Sequence, residues 1–395
     1  MAPMSLLDRA QLLSDDLIAI RRDLHRHPEL GFQEVRTAGI IAGQLKAMGL
    51  DPQTGVGLTG VVADITNGDG PTVALRADMD ALPIHEIADH DYRSTIDGVM
   101  HACGHDGHVA GLLGATRLLL QEREAGTLPA GTVRLIFQPS EEGEGEDGRS
   151  GARRMMDEGA LEGVQAISGL HLGAHMPLGD IQVGGGPVMG GAKEVVVTVR
   201  GVSAHAAMPD TGIDALVLAA QGITAVQTGV SRRISPTEAG VITFGKIAGG
   251  RAHNIIADEI VISGTFRYFT QRVHDRLVET LKGAFGGLEA QGASVQIDIS
   301  TGYPPVVNDA TQSLMLAEGL REVFGDQVVD QPPMLAGEDF SFYTQHLPGT
   351  FMWVGAALPE PREHHHPRFD IDERVIPMGA AVLAKSAIEM LKAQG

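Results

Sequence analysis

The chain has 395 residues, 43% of them hydrophobic and 20% charged, a composition that supports two ordinary cores and is too apolar for a disordered chain. Fifty acidic against 30 basic residues give a formal charge of -20, which repels phosphate backbones and anionic lipid and excludes nucleic acid and membrane surfaces as expected partners. A single cysteine, Cys103, excludes an intrachain disulfide and a four-cysteine zinc site, and sixteen histidines turn attention to metal ligation or catalysis.

Residues 1–10 lack the basic start and long apolar run of a secretory signal, and no later stretch reaches the roughly 20 apolar residues needed to span a bilayer. A cytoplasmic protein is expected. Helical patterns at 5–24, 34–48 and 106–123 alternate with strand-like runs at 61–65, 72–77, 132–138 and 166–172. This is the βαβ signature of an α/β domain, a mostly parallel sheet flanked by helices. In such sheets chemistry gathers beyond the carboxyl ends of the strands, and the polar clusters do follow strands: Asp78 and Asp80, then Glu141 and Glu142, then His171.

The glycine-rich break at 184–187 suits a hinge. Beyond it, strand 194–200, helix 212–231, strands 240–247 and 259–267, helix 271–291 and strand 294–300 give the order β-α-β-β-α-β, that of a ferredoxin-like α+β domain. The expected division is a catalytic domain of residues 1–186 and 304–395, with an inserted domain at 187–303. The returning segment carries further helix, a strand at 350–354 and a closing helix at 377–393.

The strongest local signal is Met100-His-Ala-Cys-Gly-His-Asp-Gly-His108. Thiolate and imidazole donors packed into so few residues suit zinc and its neighbours, and Gly104 and Gly107 leave the backbone free to curl round an ion. A surface histidine cluster beside a buried thiol is the structural alternative. Glu141 and Glu142 follow a strand. In extended backbone adjacent side chains point opposite ways, so one carboxylate would bind metal while the other faces substrate. Without the Cys/His cluster, the pair would read as a solvated turn. Asp78 and Asp80, two apart, share a face, and one of them would orient a ligand. A lone histidine in apolar company, as His171 is, normally belongs to the core. His364-His-His-Pro367 precedes a further ordered stretch, so it does not read as a purification tag, and at least one of the three is expected to close a metal site.

Residues 23–32 (Asp-Leu-His-Arg-His-Pro-Glu-Leu-Gly-Phe), 76–83, 100–108, 138–143, 201–209, 337–340 and 365–369 together resemble the M20 family of metal-dependent amidohydrolases. Within it they are similar to the aminoacylase, hippurate hydrolase and indole-acetyl-amino acid hydrolase subgroup. The resemblance implies a centre of two divalent ions, zinc, manganese, cobalt or nickel, held by Cys103, His105, Glu142, His171 and His365, the last lying two residues before Pro367. It implies Glu141 as general base and acid and Asp80 as the carboxylate behind a ligand. It also makes His205 an oxyanion-stabilising residue, often supplied by a partner subunit, and gives the substrate carboxylate to Asn254 and Arg267. In the wider clan the Asp78 position is a histidine ligand, so the role of Asp78 is left open.

The activity so implied is hydrolysis of N-acyl-L-amino acids, N-acetyl, N-benzoyl or hippurate-like, by a homodimer or higher homo-oligomer assembled through the inserted domain. A dipeptidase or an N-acetyl-diaminopimelate deacetylase is the alternative within the family. Outside it stand a metal-free amidase with Cys103 as nucleophile and a metal-binding protein without turnover.

Overall fold

The computed structural model describes residues 4–395; residues 1–3, included in the expected catalytic domain, lie outside the described residues. The chain forms two compact units. One comprises the residues up to Val188, Val306–Pro332 and Asp339–Gly395; the other comprises Met189–Pro305 and Pro333–Glu338. Residues 333–338, expected in the catalytic domain, thus cluster with the second unit. The cause is backbone pairing: Met334 bridges Met189, and the Gly190 amide donates to the Ala336 carbonyl at 2.9 Å.

In chain order the first unit begins with α1 (Leu6–Gln11), α2 (Ser14–Arg26), α3 (Val35–Ala47), β1 (Gln53–Val56), β2 (Gly60–Asn67) and β3 (Thr72–Asp78). It continues through α4 (His105–Glu124), β4 (Gly131–Gln138), α5 (Gly151–Asp157), β5 (Val164–Gly173), β6 (Ile181–Val183) and β7 (Gly186–Met189). The single helix expected over 5–24 is two helices. Ser5 and Asp8 close a capping box on α1, and Ser14-Asp15-Asp16 place acidic groups where a new N-terminus favours them.

The second unit holds β8 (Gly191–Arg200), α6 (Ala215–Arg233), β9 (Gly240–Gly249), β10 (Glu259–Tyr268), α7 (Gln271–Gly286) and β11 (Ser294–Ile299). The helix expected to run to 291 passes into a 3-10 turn at Gly287. The four strands lie in the order β11-β8-β10-β9, every pair antiparallel, which is the ferredoxin-like arrangement. Val195, Val197 and Val199 alternate inward along β8 and pack with Leu218 and Val226 of α6 and Leu277, Leu281 and Phe285 of α7. Period-2 burial is what a sheet with one covered face requires.

The chain returns through β12 (Val306–Asn308), α8 (Ala310–Phe324), β13 (Val328–Asp330), α9 (Ser341–Thr344), β14 (Gly349–Gly355) and α10 (Val375–Gln394). The large sheet has the order β1-β2-β4-β3-β5-β14-β6-β13. Its four central strands β4, β3, β5 and β14 run parallel, β2 opposes both of its neighbours, and β6 opposes β14 while running parallel to β13. Helix α10 packs on α4, and Val375 through Ile388 of it are buried. Each fully buried Val, Leu or Ile contributes about 1.5–3 kcal/mol, so this helix anchors the domain.

Candidate active site

The parallel strands β4, β3, β5 and β14 end at one edge of the sheet, and the chain leaving that edge carries the titratable groups. Gly104, at φ +90°, turns the backbone so that α4 starts at His105. His105 and His108, three apart, then share a helix face.

Each imidazole has one nitrogen fixed by a partner. The Leu172 amide donates to His108 Nε2 at 2.9 Å, so Nδ1 carries the proton and donates to Asp78 Oδ1 at 2.5 Å. His105 Nδ1 donates to Asp80 Oδ1 at 3.1 Å, and its buried Nε2 has no hydrogen-bond partner. His171 donates from Nδ1 to the Leu172 carbonyl at 3.1 Å, and its Nε2 lies 3.3 Å from Cys103 Sγ. The indole of Trp353 packs on the His171 ring at 4.4 Å between centroids. Asp78, whose role sequence left open, is a fully buried anchor that also accepts from Arg76 Nη1 at 2.6 Å.

Glu141 and Glu142 depart from the sequence expectation. Strand β4 ends at Gln138, Ser140 has φ +43°, and the two glutamates sit in a bend instead of extended backbone. Their carboxylates do not oppose each other: ligand atoms of His105, Glu141 and Glu142 lie within 4.8 Å of one another. The Asp339 amide donates to Glu141 Oε1 at 3.3 Å, and the Glu142 amide donates to Asp80 Oδ2 at 3.0 Å. Asp80 therefore holds both His105 and the glutamate bend.

Among the three consecutive histidines, His364 Nε2 accepts from the Ala174 amide at 3.2 Å and His366 Nδ1 from the Arg368 amide at 3.1 Å. His365, at φ +59°, places Nε2 2.9 Å from Glu142 Oε1. Non-glycine residues held at positive φ concentrate where function demands a set geometry. Ligand atoms of Cys103, His105 and His171 lie within 4.8 Å of one another, as do those of Cys103, Glu142 and His365. Cys103 belongs to both groups.

The electrostatics are those of a cation hole. Burial pushes the Cys103 thiol up, and Glu142, Glu141 and Asp78 push it further, so a thiolate here needs a cation beside it. That weighs against a metal-free cysteine nucleophile. Burial pulls the His105 imidazole down, but Asp78, Asp80 and Glu142 outweigh it and raise it to about 10. Burial, followed by the neighbouring His108 and His364, keeps His171 well below the usual imidazole range, in the neutral form that ligates. Sulfur, imidazole and carboxylate donors together fit a borderline divalent ion, and the unpartnered His105 Nε2 is the atom such an ion would satisfy.

Behind α4 lies a second buried cluster. Asp106 forms an ion pair with Arg21, Nε to Oδ2 2.9 Å, and accepts from His25 Nδ1 at 2.7 Å, and His25 Nε2 reaches Glu86 Oε1 at 3.3 Å. Among residues that sequence reasoning gave no role, Arg76, His108 and Asp339 support the site. All three stood inside recognised motifs, Arg76 in 76–83, His108 in 100–108 and Asp339 in 337–340, and that was the available signal.

His205, Asn254 and Arg267 belong to the second unit. His205 bridges Ile255, its Nδ1 accepts from the Ala207 amide at 3.0 Å, and the Asn254 carbonyl accepts from the Ala206 amide at 3.1 Å. His205 and Asn254 are thus on paired segments, both exposed. Arg267 lies on β10 between Ala192 and Val241. Partial burial lowers its guanidinium from the ordinary value, with Glu194 acting against this.

Residues 74–389 match the profile of Peptidase family M20/M25/M40. The chain is 39% identical to the IAA-amino acid hydrolase ILR1-like 2 of Arabidopsis thaliana over 96% of this chain and 86% of that protein. It is 38% identical to the N-acetyl-L-cysteine deacetylase of Bacillus subtilis over 96% and 89%. The crystal structure of the Bacillus subtilis YXEP protein, described as a dinuclear metal-binding peptidase of the M20 family, superposes with a TM-score of 0.84 at 34% identity, covering 97% of this chain and 99% of that one. The chain belongs to the M20/M25/M40 peptidase family and is a metal-dependent hydrolase acting on amides.

Proposed function

We propose that the protein hydrolyses the amide bond of N-acyl-L-amino acids, releasing a carboxylic acid and a free amino acid. The observation that carries this reading is the convergence of Cys103, His105, His171, Glu142 and His365 donor atoms beside the Glu141 carboxylate. Two relatives, one named as an IAA-amino acid hydrolase and the other as an N-acetyl-L-cysteine deacetylase, support the substrate class.

In this reading those five residues hold two divalent ions, zinc, manganese, cobalt or nickel, which when bound would acidify a water and polarise the scissile carbonyl. The chain's own groups do the rest. Glu141 takes the proton from the water at its carboxylate and delivers it to the departing amide nitrogen. Its Oε1 is held toward this task by the Asp339 amide. Asp80 keeps the His105 proton on Nδ1, leaving Nε2 as the donor. Arg267 offers a planar fork to the substrate carboxylate and Asn254 a second contact, while His205 donates to the developing oxyanion.

We assign the working form as a homodimer through the second unit. Strand β9 is an edge of its sheet and is exposed along most of its length, with Val241 and Ile247 uncovered. An unpaired edge of this length is normally covered or paired. The reading includes a cytoplasmic location, where reducing conditions keep the Cys103 thiol available as a ligand. Among the described residues no helix is long and apolar enough to cross a membrane.

The test is metal analysis of the purified protein coupled to hydrolysis of N-acetyl, N-benzoyl and dipeptide substrates with and without chelator. Chelator-sensitive release of amino acid from the acylated substrates is expected. Turnover of dipeptides alone, or turnover indifferent to metal removal, would overturn the assignment. Sedimentation showing a fully active monomer would overturn the dimer.

A further inference from the structure

Glu34 is a buried carboxylate that the mechanism does not use. It precedes α3 and has no exposure to solvent. Its two oxygens are both engaged: Thr59 Oγ1 donates to Oε2 at 2.6 Å, and the Ser140 amide donates to Oε1 at 2.9 Å. Ser140 is the residue at φ +43° immediately before Glu141.

The peptide amides on both sides of Glu141 are therefore held by buried carboxylates, Ser140 N by Glu34 and Glu142 N by Asp80. The Ser140 carbonyl is held as well, by the Gly151 amide at 3.0 Å. Space is equally restricted. A Cβ on Gly31 would stand 2.4 Å from Ser140 Oγ, so the 31–34 segment is seated directly against this residue. A non-glycine residue at positive φ is sterically costly and persists only where its surroundings over-determine it. Here Glu34 supplies the acceptor that this backbone orientation needs, and burying a carboxylate for that purpose is itself costly. Burial, with the Asp80 charge adding to it, pushes the Glu34 carboxyl up to about 7, and the hydrogen bonds from Thr59 and Ser140 offset this only in part.

We infer that Glu34 is a positioning residue for the reaction, clamping the Ser140 peptide so that the Glu141 carboxylate is aimed at the reacting water. The inference rests on the reading of Glu141 as the base, and it adds a residue from a separate segment of the chain to the machinery. It concerns hydrogen-bond geometry and not charge. A glutamine can accept from the Ser140 amide through its oxygen and donate to Thr59 Oγ1 through its nitrogen, so it keeps both contacts.

The experiment compares Glu34→Gln, Glu34→Ala and Thr59→Val, each with metal content measured, in steady-state hydrolysis of N-acetyl and N-benzoyl amino acids. Small misplacements of a reacting group cost up to about 100-fold. Glu34→Ala is expected to lower kcat by about 10- to 100-fold with KM and bound metal unchanged. Glu34→Gln should restore most of the rate, and Thr59→Val, which frees one oxygen of Glu34, should fall between them. If Glu34→Ala does not fold, Ser140→Gly, which relaxes the backbone while leaving Glu34 intact, should lower kcat in the same way. Unchanged kcat in Glu34→Ala or Ser140→Gly, a parallel loss of metal, or a Gln variant as poor as the Ala variant would overturn the proposal. A crystal structure of the Ala or Gly variant reads the placement without turnover: a displaced Glu141 with its metal-ligating neighbours in place supports the clamp, and an unmoved Glu141 refutes it. Wild-type protein inactive on every acyl amino acid would instead count against the proposed function.

Discussion

The proposed ligand cluster of the first unit and the residues proposed to meet substrate in the second are built on opposite principles. Around Cys103 nearly every imidazole has its second nitrogen fixed by a carboxylate or a backbone group inside the same unit, and Asp78, Asp80, His105 and His108 are almost fully buried. His205 and Asn254 are exposed, and Arg267 is only half buried. The lesson concerns where preorganisation is built in. A site for multiply charged cations needs its donors locked before the ion arrives, whereas a carboxylate fork keeps its hydrogen-bonding capacity for the ligand.

This contrast is broken most sharply at the base. Glu141→Gln is expected to lower kcat by about 10²–10⁴-fold while metal content survives, measured by elemental analysis beside kinetics; an active, metal-replete variant would remove Glu141 from its role. Next, Asp80→Asn weakens the orientation of His105 and should reduce metal affinity about 10- to 100-fold, read by competition with a chelating dye. The second unit should respond differently. Arg267→Ala is expected to lower kcat/KM about 10- to 100-fold through the loss of charge-assisted hydrogen bonds. Metal content should stay unchanged, and Arg267→Lys should fail to restore the rate. Metal loss in either Arg267 variant would contradict the separation of duties.

The smallest effect lies in the scaffold behind α4. Burial raises the Glu86 carboxyl, but hydrogen bonds from His25 and His90 outweigh it and hold it at about 2, below the ordinary 4.5. Since the folded value is depressed, its stabilisation is complete above about pH 4.5 and is lost as the pH falls through about 2. Glu86→Gln should therefore cost about 1–3 kcal/mol near neutrality, with the deficit shrinking on acidification below pH 4.5. Urea melts at several pH values test this, and a deficit that does not change over the acid range would refute it.

The βαβ alternation and the valine-rich strands were legible because helix and strand periods differ and each element buries one face. The short strands Gln53–Val56, Ile181–Val183 and Val328–Asp330 escaped notice, since three or four residues carry no period. Strand ends announced the candidate site, but the relation of Glu141 to Glu142 was misread. A rule for extended backbone was applied to a bend whose conformation depends on Ser140, a residue with no local sequence signal for positive φ. Residues 333–338 were misplaced for a similar reason, because their pairing partner at 189–190 is distant in sequence. Glu34 stood just past a recognised motif and gained its importance only through contacts with residues 25 and 106 positions away.

The packing of Trp353 against His171 has an optical consequence. It is the sole tryptophan of the chain, and its ring lies 4.4 Å from a proposed metal ligand. All indole emission of the protein therefore originates beside the candidate centre. Filled-shell zinc has no d–d states to accept that excitation, whereas cobalt or nickel does and will darken it. Ordinary fluorescence on unlabelled protein thus separates zinc from cobalt or nickel at this centre.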